Sequence, residues 1–284
     1  MFFNNSNKIW HFSPLSQLLV GKLCLIEHVN NTMKTPEVTM KDNSKHRSLL
    51  IVAALLLQSI VISAIALEPA AAQVAKLKIG YVPITDHLAL GVAEKLFAKN
   101  YESAELETIK FTDWATMVEA LRSKSLDGAF LLGPLAFQAR ATGIPITTVL
   151  LGHRDGSALI VKTRVGIDAV KDLRGKTIAI PSKYSLHNML LHMVVTKAGL
   201  DFGTDVKTIE MSPVEMPVAL FNGDIDAYIV AEPIGAKAEK LGAGKVLVLS
   251  NEIWKNHPDC LFVLQEEIVN REPTAVQEIV TSLV

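Results

Sequence analysis

Cysteine is nearly absent from this sequence of 284 residues: Cys24 and Cys260 are the whole complement. A candidate export signal falls between them, so a processed chain holds one thiol and no internal disulfide. An excess of one sign of charge is missing too, with 28 Lys and Arg against 29 Asp and Glu. Nucleic-acid binders gather Lys and Arg on one face to displace the counterions around phosphates, and a net charge of −1 without a basic stripe excludes that class. Also lacking are a Gly-rich phosphate loop, a zinc-ligand spacing and a Gly-x-Ser-x-Gly nucleophile elbow, so the sequence announces no cofactor, no metal and no catalytic centre. What remains is an ordinary globular composition, 49% hydrophobic and 20% charged, with one extra apolar segment and enough length for one or two domains.

The extra apolar segment, 48–67, follows Lys41, Lys45, His46 and Arg47 and precedes Ala70-Ala71-Ala72-Gln73. A basic flank, an apolar run and a small-residue site read as a secretory signal peptide cleaved after Ala72, which predicts a periplasmic protein. A length of about 20 residues also suits a retained membrane anchor, although Gln58, Ser59 and Ser63 dilute the run. No cysteine follows it closely, which argues against a lipid anchor. Residues 1–39 are rich in Asn and make the signal look overlong, so the expected start is Met33 or Met40. Residues 1–72 are therefore read as an extension plus signal peptide or anchor.

Downstream the chain contains one unit twice. Ala120-Leu121, Leu126-Asp127-Gly128 and Pro134-Leu135-Ala136 return as Ala219-Leu220, Ile225-Asp226-Ala227 and Pro233-Ile234-Gly235, each 99 residues later. Lys78-Ile79-Gly80-Tyr81 likewise returns as Thr177-Ile178-Ala179-Ile180. A repeat of that length is too long for a solenoid unit and reads as a duplicated lobe. Each copy predicts β-α-β-α-β: strands at 77–82, 104–111 and 129–132 with helices at 87–99 and 116–123, then strands at 177–180, 206–211 and 227–231 with helices at 186–198 and 215–221. Gly199 and Gly223 sit where helices should stop. The expected fold class is α/β, two lobes each built on a parallel-rich sheet flanked by helices, with loops at the carboxyl ends of the strands facing a shared cleft. The lobes are read as 76–157 and 158–260. Residues 261–284 return toward the first lobe and stop inside a helix beginning at Glu272-Pro273, as though truncated.

The stretches Phe111-Thr112-Asp113-Trp114-Ala115-Thr116-Met117, Asp172-Leu173-Arg174-Gly175-Lys176-Thr177-Ile178-Ala179-Ile180-Pro181, Val214-Glu215-Met216-Pro217-Val218-Ala219-Leu220, Ala231-Glu232-Pro233 and Ile253-Trp254-Lys255-Asn256-His257-Pro258 carry a resemblance. Together they are similar to the nitrate/sulfonate/bicarbonate (NitT/TauT, NMT1-like) group of ABC-transporter substrate-binding proteins, over roughly residues 76–284. The resemblance implies a type II periplasmic-binding-protein fold and a monomer. It also implies a membrane permease with its ATPase as partners, and capture of a small oxyanion by hinge closure. An alkanesulfonate or a pyrimidine-like planar solute is the alternative ligand. A pyrimidine-synthesising enzyme or a membrane-tethered sensor is the alternative function.

Ten residues are candidates for the cleft. Trp114, after Thr112 and Asp113, can stack on a planar solute or donate from its indole nitrogen, or can be core. Gly133 allows close backbone approach or marks a turn. His153 can donate to an anion or be solvated. Ser185 suits a helix N-cap, which would leave Lys183, Tyr184 and His187 near the positive end of the helix dipole. Tyr81, Thr85 and His87 occupy the matching loop of the first lobe, where Thr85 or Asp86 is expected to cap the helix. Glu232 repeats the position of Gly133 and can accept from a ligand, hold an accompanying cation or fix the hinge.

Overall fold

Short apolar runs around Ile79, Leu106 and Phe130 form strands because each is separated from the next by a helix with one apolar side to cover. A computed structural model of the protein describes residues 74–163 and 165–284. The predicted signal or anchor, Cys24, Met33 and Met40 lie outside the described residues. The first copy comprises β1 (Ala75–Tyr81), α1 (Leu88–Leu96), β2 (Ala104–Lys110), α2 (Trp114–Arg122), β3 (Gly128–Leu132), α3 (Gly133–Ala141) and β4 (Ile146–Leu151). The second comprises β5 (Ser157–Lys162), β6 (Thr177–Ile180), α4 (Leu186–Lys197), β7 (Lys207–Glu210), α5 (Met216–Asn222), β8 (Ala227–Ala231), α6 (Ile234–Lys240) and β9 (Gly244–Leu249). The short α7 (Ser250–Ile253), β10 (Cys260–Gln265), α8 (Glu266–Arg271) and α9 (Pro273–Ser282) follow. No helix among the described residues is long and apolar enough to cross a membrane.

Two five-stranded sheets result, ordered β2-β1-β3-β10-β4 and β7-β6-β8-β5-β9. In each sheet the first three strands of that order are parallel, as expected, and one crossing strand makes the sheet mixed. β10 runs antiparallel to both β3 and β4, and β5 runs antiparallel to both β8 and β9. Each of these strands arrives from the other lobe, so it enters its sheet from the opposite end. The crossing segments meet in a short antiparallel ribbon. Arg154 bridges Pro258, Asp155 N donates to His257 O (3.0 Å), and Asp259 N donates to His153 O (3.0 Å).

The repeat persists at the level of single hydrogen bonds. Asp127 accepts from Lys78 N at 2.8 Å, and Asp226 accepts from Thr177 N at 2.9 Å. Across the sheets, Ile79 pairs with Gly128 and Ile178 with Ala227, the same register 99 residues on. Both central strands, β3 and β8, are buried along their whole length because helices cover both faces. One apolar core continues between the lobes, from Leu131 and Met117 to Ile160 and Tyr228.

Two helix starts differ from the sequence reading. Residues 85–87 form a single 3-10 turn and α1 begins at Leu88, with no side-chain cap from Thr85 or Asp86. The cause is His87, whose Nδ1 lies 2.8 Å from Val82 O and 3.0 Å from Val82 N and folds the loop back on β1. Helix α2 starts at Trp114, earlier than expected, because Asp113 caps it by accepting from Thr116 N at 2.8 Å. Ser185 caps α4 as expected, accepting from Asn188 N at 3.0 Å. Gly223 closes α5 in the left-handed conformation, φ 87°.

Candidate functional site

Loops at the carboxyl ends of the parallel strands bring the lobes into contact. Thr85 donates from N (2.7 Å) and Oγ1 (3.0 Å) to the carbonyl of Glu232, and Ser212 Oγ donates to Thr112 O (2.8 Å). These bonds join the loop after β1 to the end of β8, and the loop after β2 to that after β7. Beneath the first loop lies a mainly apolar cavity of about 310 Å³, lined by Tyr81, Pro83, Thr85, His87, Glu94 and Pro233 among others. Pro233 belongs to the second lobe, and the rest come from the first.

The first-lobe candidates gather here. Tyr81, Thr85 and His87 line the cavity, and Trp114 stands edge-on to the His87 ring, with centroids 6.3 Å apart. Trp114 is 1% exposed and part of the apolar core, so its ring does not form an open wall. Its Nε1 is buried without a hydrogen-bond partner among the described residues, and so is His87 Nε2. Burial pushes the His87 pKa down to about 3, which keeps the ring neutral.

The remaining candidates fall elsewhere. Gly133 starts α3 and donates from N to Asp259 O at 3.1 Å, which ties the helix to the crossing ribbon. Glu232 spends its carboxylate on its own helix, accepting from Ala236 N at 3.0 Å. Lys183 and Tyr184 are exposed at the start of α4, with Nζ 5.2 Å from the tyrosine ring centroid. His153 and His187, expected to face an anion, each face a carboxylate instead. His153 Nδ1 is 3.3 Å from Asp86 Oδ1, and His187 Nε2 is 3.3 Å from Asp259 Oδ2.

These two contacts belong to a buried polar cluster at the base of the cleft. Asp86, Ser157, His187, His257 and Asp259 are all at most 3% exposed, and Cys260 is buried beside them. Ser157 Oγ donates to Asp259 Oδ2 (2.8 Å) and lies 2.9 Å from His187 Nε2. Burial, and then the nearby charge of Asp259, holds the Asp86 carboxyl well above the usual carboxylate range. Burial also raises the Cys260 thiol and lowers His187. The sequence reading missed Ser157, Asp259 and Cys260. The family-like stretch Ile253–Pro258 ends one residue short of Asp259.

The NMT1-like family model matches residues 70–284. The ligand-binding component of an ABC-type import system from Staphylococcus aureus, solved with zinc bound, is 33% identical, with 73% of this chain and 72% of that one covered and a TM-score of 0.69. The periplasmic nitrate-binding protein NrtA of Synechocystis shares the fold at 22% identity and a TM-score of 0.68, covering 74% of this chain and 60% of that one. The nitrate import ATP-binding protein NrtC of Synechocystis is 28% identical over 225 residues, 73% of this chain and 34% of its own length. The chain thus spans about a third of the length of the first curated relatives it matches.

Proposed function

The chain belongs to the NMT1-like family, and from that premise we propose that it is the solute-binding component of an ABC-type importer. In this reading it acts outside the cytoplasmic membrane and closes its lobes over one small oxyanion of the nitrate or bicarbonate kind. The activity is binding without chemistry. A transmembrane permease with its ATPase takes the closed form and receives the solute. The S. aureus import component and the nitrate-binding NrtA support the import role through family and fold.

The observation that carries the ligand class is the indole Nε1 of Trp114, buried and unpartnered beside His87. A donor left unpaired in the interior costs about 1–3 kcal/mol. A solute bearing acceptor oxygens removes that cost on binding. Tyr81, Thr85 and His87 complete the first-lobe side, and Pro233 closes the cavity from the second. The bonds from Thr85 to Glu232 and from Ser212 to Thr112 form only when the lobes meet, so they add to the closed state that the solute selects.

The cavity favours a second reading for the ligand. Its volume of about 310 Å³ is many times the roughly 10–15 Å³ that admits one water, more than a bare oxyanion needs. Apolar walls at Tyr81, Ile84, Leu90 and Pro233 suit an alkanesulfonate or a pyrimidine-like planar solute. A thermal-shift screen over nitrate, bicarbonate, alkanesulfonates and pyrimidines decides between them, because a solute at 100 times its dissociation constant stabilises the native state by about 2.7 kcal/mol. Stabilisation by nitrate or bicarbonate alone supports the first reading, and stabilisation by the larger solutes alone supports the second. A flat response to every solute contradicts both.

A further inference from the structure

We propose that Asp86, Asp259 and Cys260 hold one divalent transition-metal ion of the zinc class at the base of the cleft. Their ligand atoms, two carboxylate oxygens and a thiol sulfur, all lie within 4.8 Å of one another, and all three side chains are buried. Bond lengths of about 2.0–2.3 Å around zinc put neighbouring ligand atoms roughly 3.5 Å apart, a contraction within reach of side-chain rotation. The cluster is more than an accidental meeting of acids. Among the described residues, both oxygens of Asp86 and Oδ1 of Asp259 are buried and find no well-formed hydrogen bond, the Cys260 thiol being the donor beside Asp86. Two carboxylates side by side in the interior require a cation or a shared proton.

The surroundings are built as those of a metal site are. Asp259 is fixed on both sides of its backbone, by His153 O and Gly133 N. Its Oδ2 accepts from Ser157 Oγ (2.8 Å) and faces His187, which leaves the other oxygen, Oδ1, without a partner among the described residues. The carbonyl of Cys260 accepts from Gly152 N at 2.8 Å. His153 Nδ1, without a hydrogen-bond partner among the described residues, lies 3.3 Å from Asp86 Oδ1 at the edge of the cluster. A thiolate in the set selects zinc or cobalt over magnesium and calcium, which take all-oxygen sites. The ion would fasten the loop carrying Thr85 and His87 to the crossing ribbon, with Ser157 and His187 of the second lobe as its outer shell. The assignment stands whichever solute the cleft takes.

The test uses the full chain in a Cys24→Ser background, which removes the only other thiol. After treatment with a chelator, the protein is titrated with zinc by calorimetry and with cobalt by absorbance. One equivalent of each is expected to bind, and cobalt should show a thiolate charge-transfer band in the near ultraviolet. Cys260→Ser should abolish the band, and Asp86→Asn should weaken zinc binding by about 100-fold or more. His187→Ala should weaken it by about 10- to 100-fold through Asp259. Circular dichroism establishes that each variant folds. If a variant does not fold, zinc protection of Cys260 against alkylation in the parent takes its place. A parent that binds neither metal, or a charge-transfer band that survives Cys260→Ser, overturns the proposal. So does a rise in melting temperature on Asp86→Asn with no response of the parent to zinc, since the two carboxylates then share a proton.

Discussion

In the first lobe the central strands carry Gly80 and Gly128, and at the same places the second lobe carries Ala179 and Ala227. A Cβ on Gly80 would meet Leu126 Cδ1 at 2.7 Å and Met117 Sδ at 2.8 Å, and one on Gly128 would meet Leu264 Cδ2 at 2.3 Å. Large neighbours fill in one lobe what small side chains fill in the other. The caps are exchanged as well: in the first lobe the second helix is capped by Asp113, while in the second lobe the first helix is capped by Ser185. The Asp127 and Asp226 bridges to the first strand, by contrast, are common to both. Backbone pairing and these bridges define the unit, and side-chain packing is free to diverge around them. The divergence extends to chemistry, because the first lobe gives its loop after β1 to Asp86 and His87, both buried, while the second presents Lys183 and Tyr184 to solvent.

Substitutions can break or sharpen that comparison. Phe130 stacks on Phe262 of the crossing strand with centroids 4.9 Å apart, so Phe130→Ala should cost about 3–5 kcal/mol in urea denaturation. A much smaller loss would mean that β10 contributes little to the first lobe. Asp127→Ala and Asp226→Ala should each cost about 1.5–3 kcal/mol, the range for a hydrogen bond to a charged group, and the two losses should match. Markedly unequal values would show that the shared bridge does different work in the two copies. Gly128→Ala should cost about 1–3 kcal/mol by overpacking, read as a fall in melting temperature. A neutral result would mean that Leu264 and the Val263 carbonyl, 2.6 Å from the added Cβ, both yield freely and that the packing contrast is slight.

Much of this architecture was legible in the sequence. The 99-residue offset gave the duplication, and strands 177–180 and 227–231 were bounded to the residue, because short apolar runs between glycines and polar turns have few other ways to fold. The direction of the two crossing strands, β5 and β10, was not legible, since a local pattern says nothing about which end of a sheet such a strand enters. The loop 82–87 misled because His87 bonds back to Val82, a contact that helical periodicity does not encode. Trp114 could be placed at a strand-to-helix junction but not recognised as buried. The polar cluster was invisible for a plainer reason. Asp86 and Asp259 come from distant parts of the chain and meet only once β10 has crossed back beside β3.

Calorimetric titration of the purified chain with nitrate, bicarbonate and an alkanesulfonate, run beside Trp114→Phe, tests the proposed binding role most directly. One equivalent of at least one solute should bind to the parent, and the variant, which keeps a ring but loses the indole donor, should bind it about tenfold or more weakly, roughly 1.4 kcal/mol. Absence of binding by every solute, or equal affinity in the variant, would contradict it.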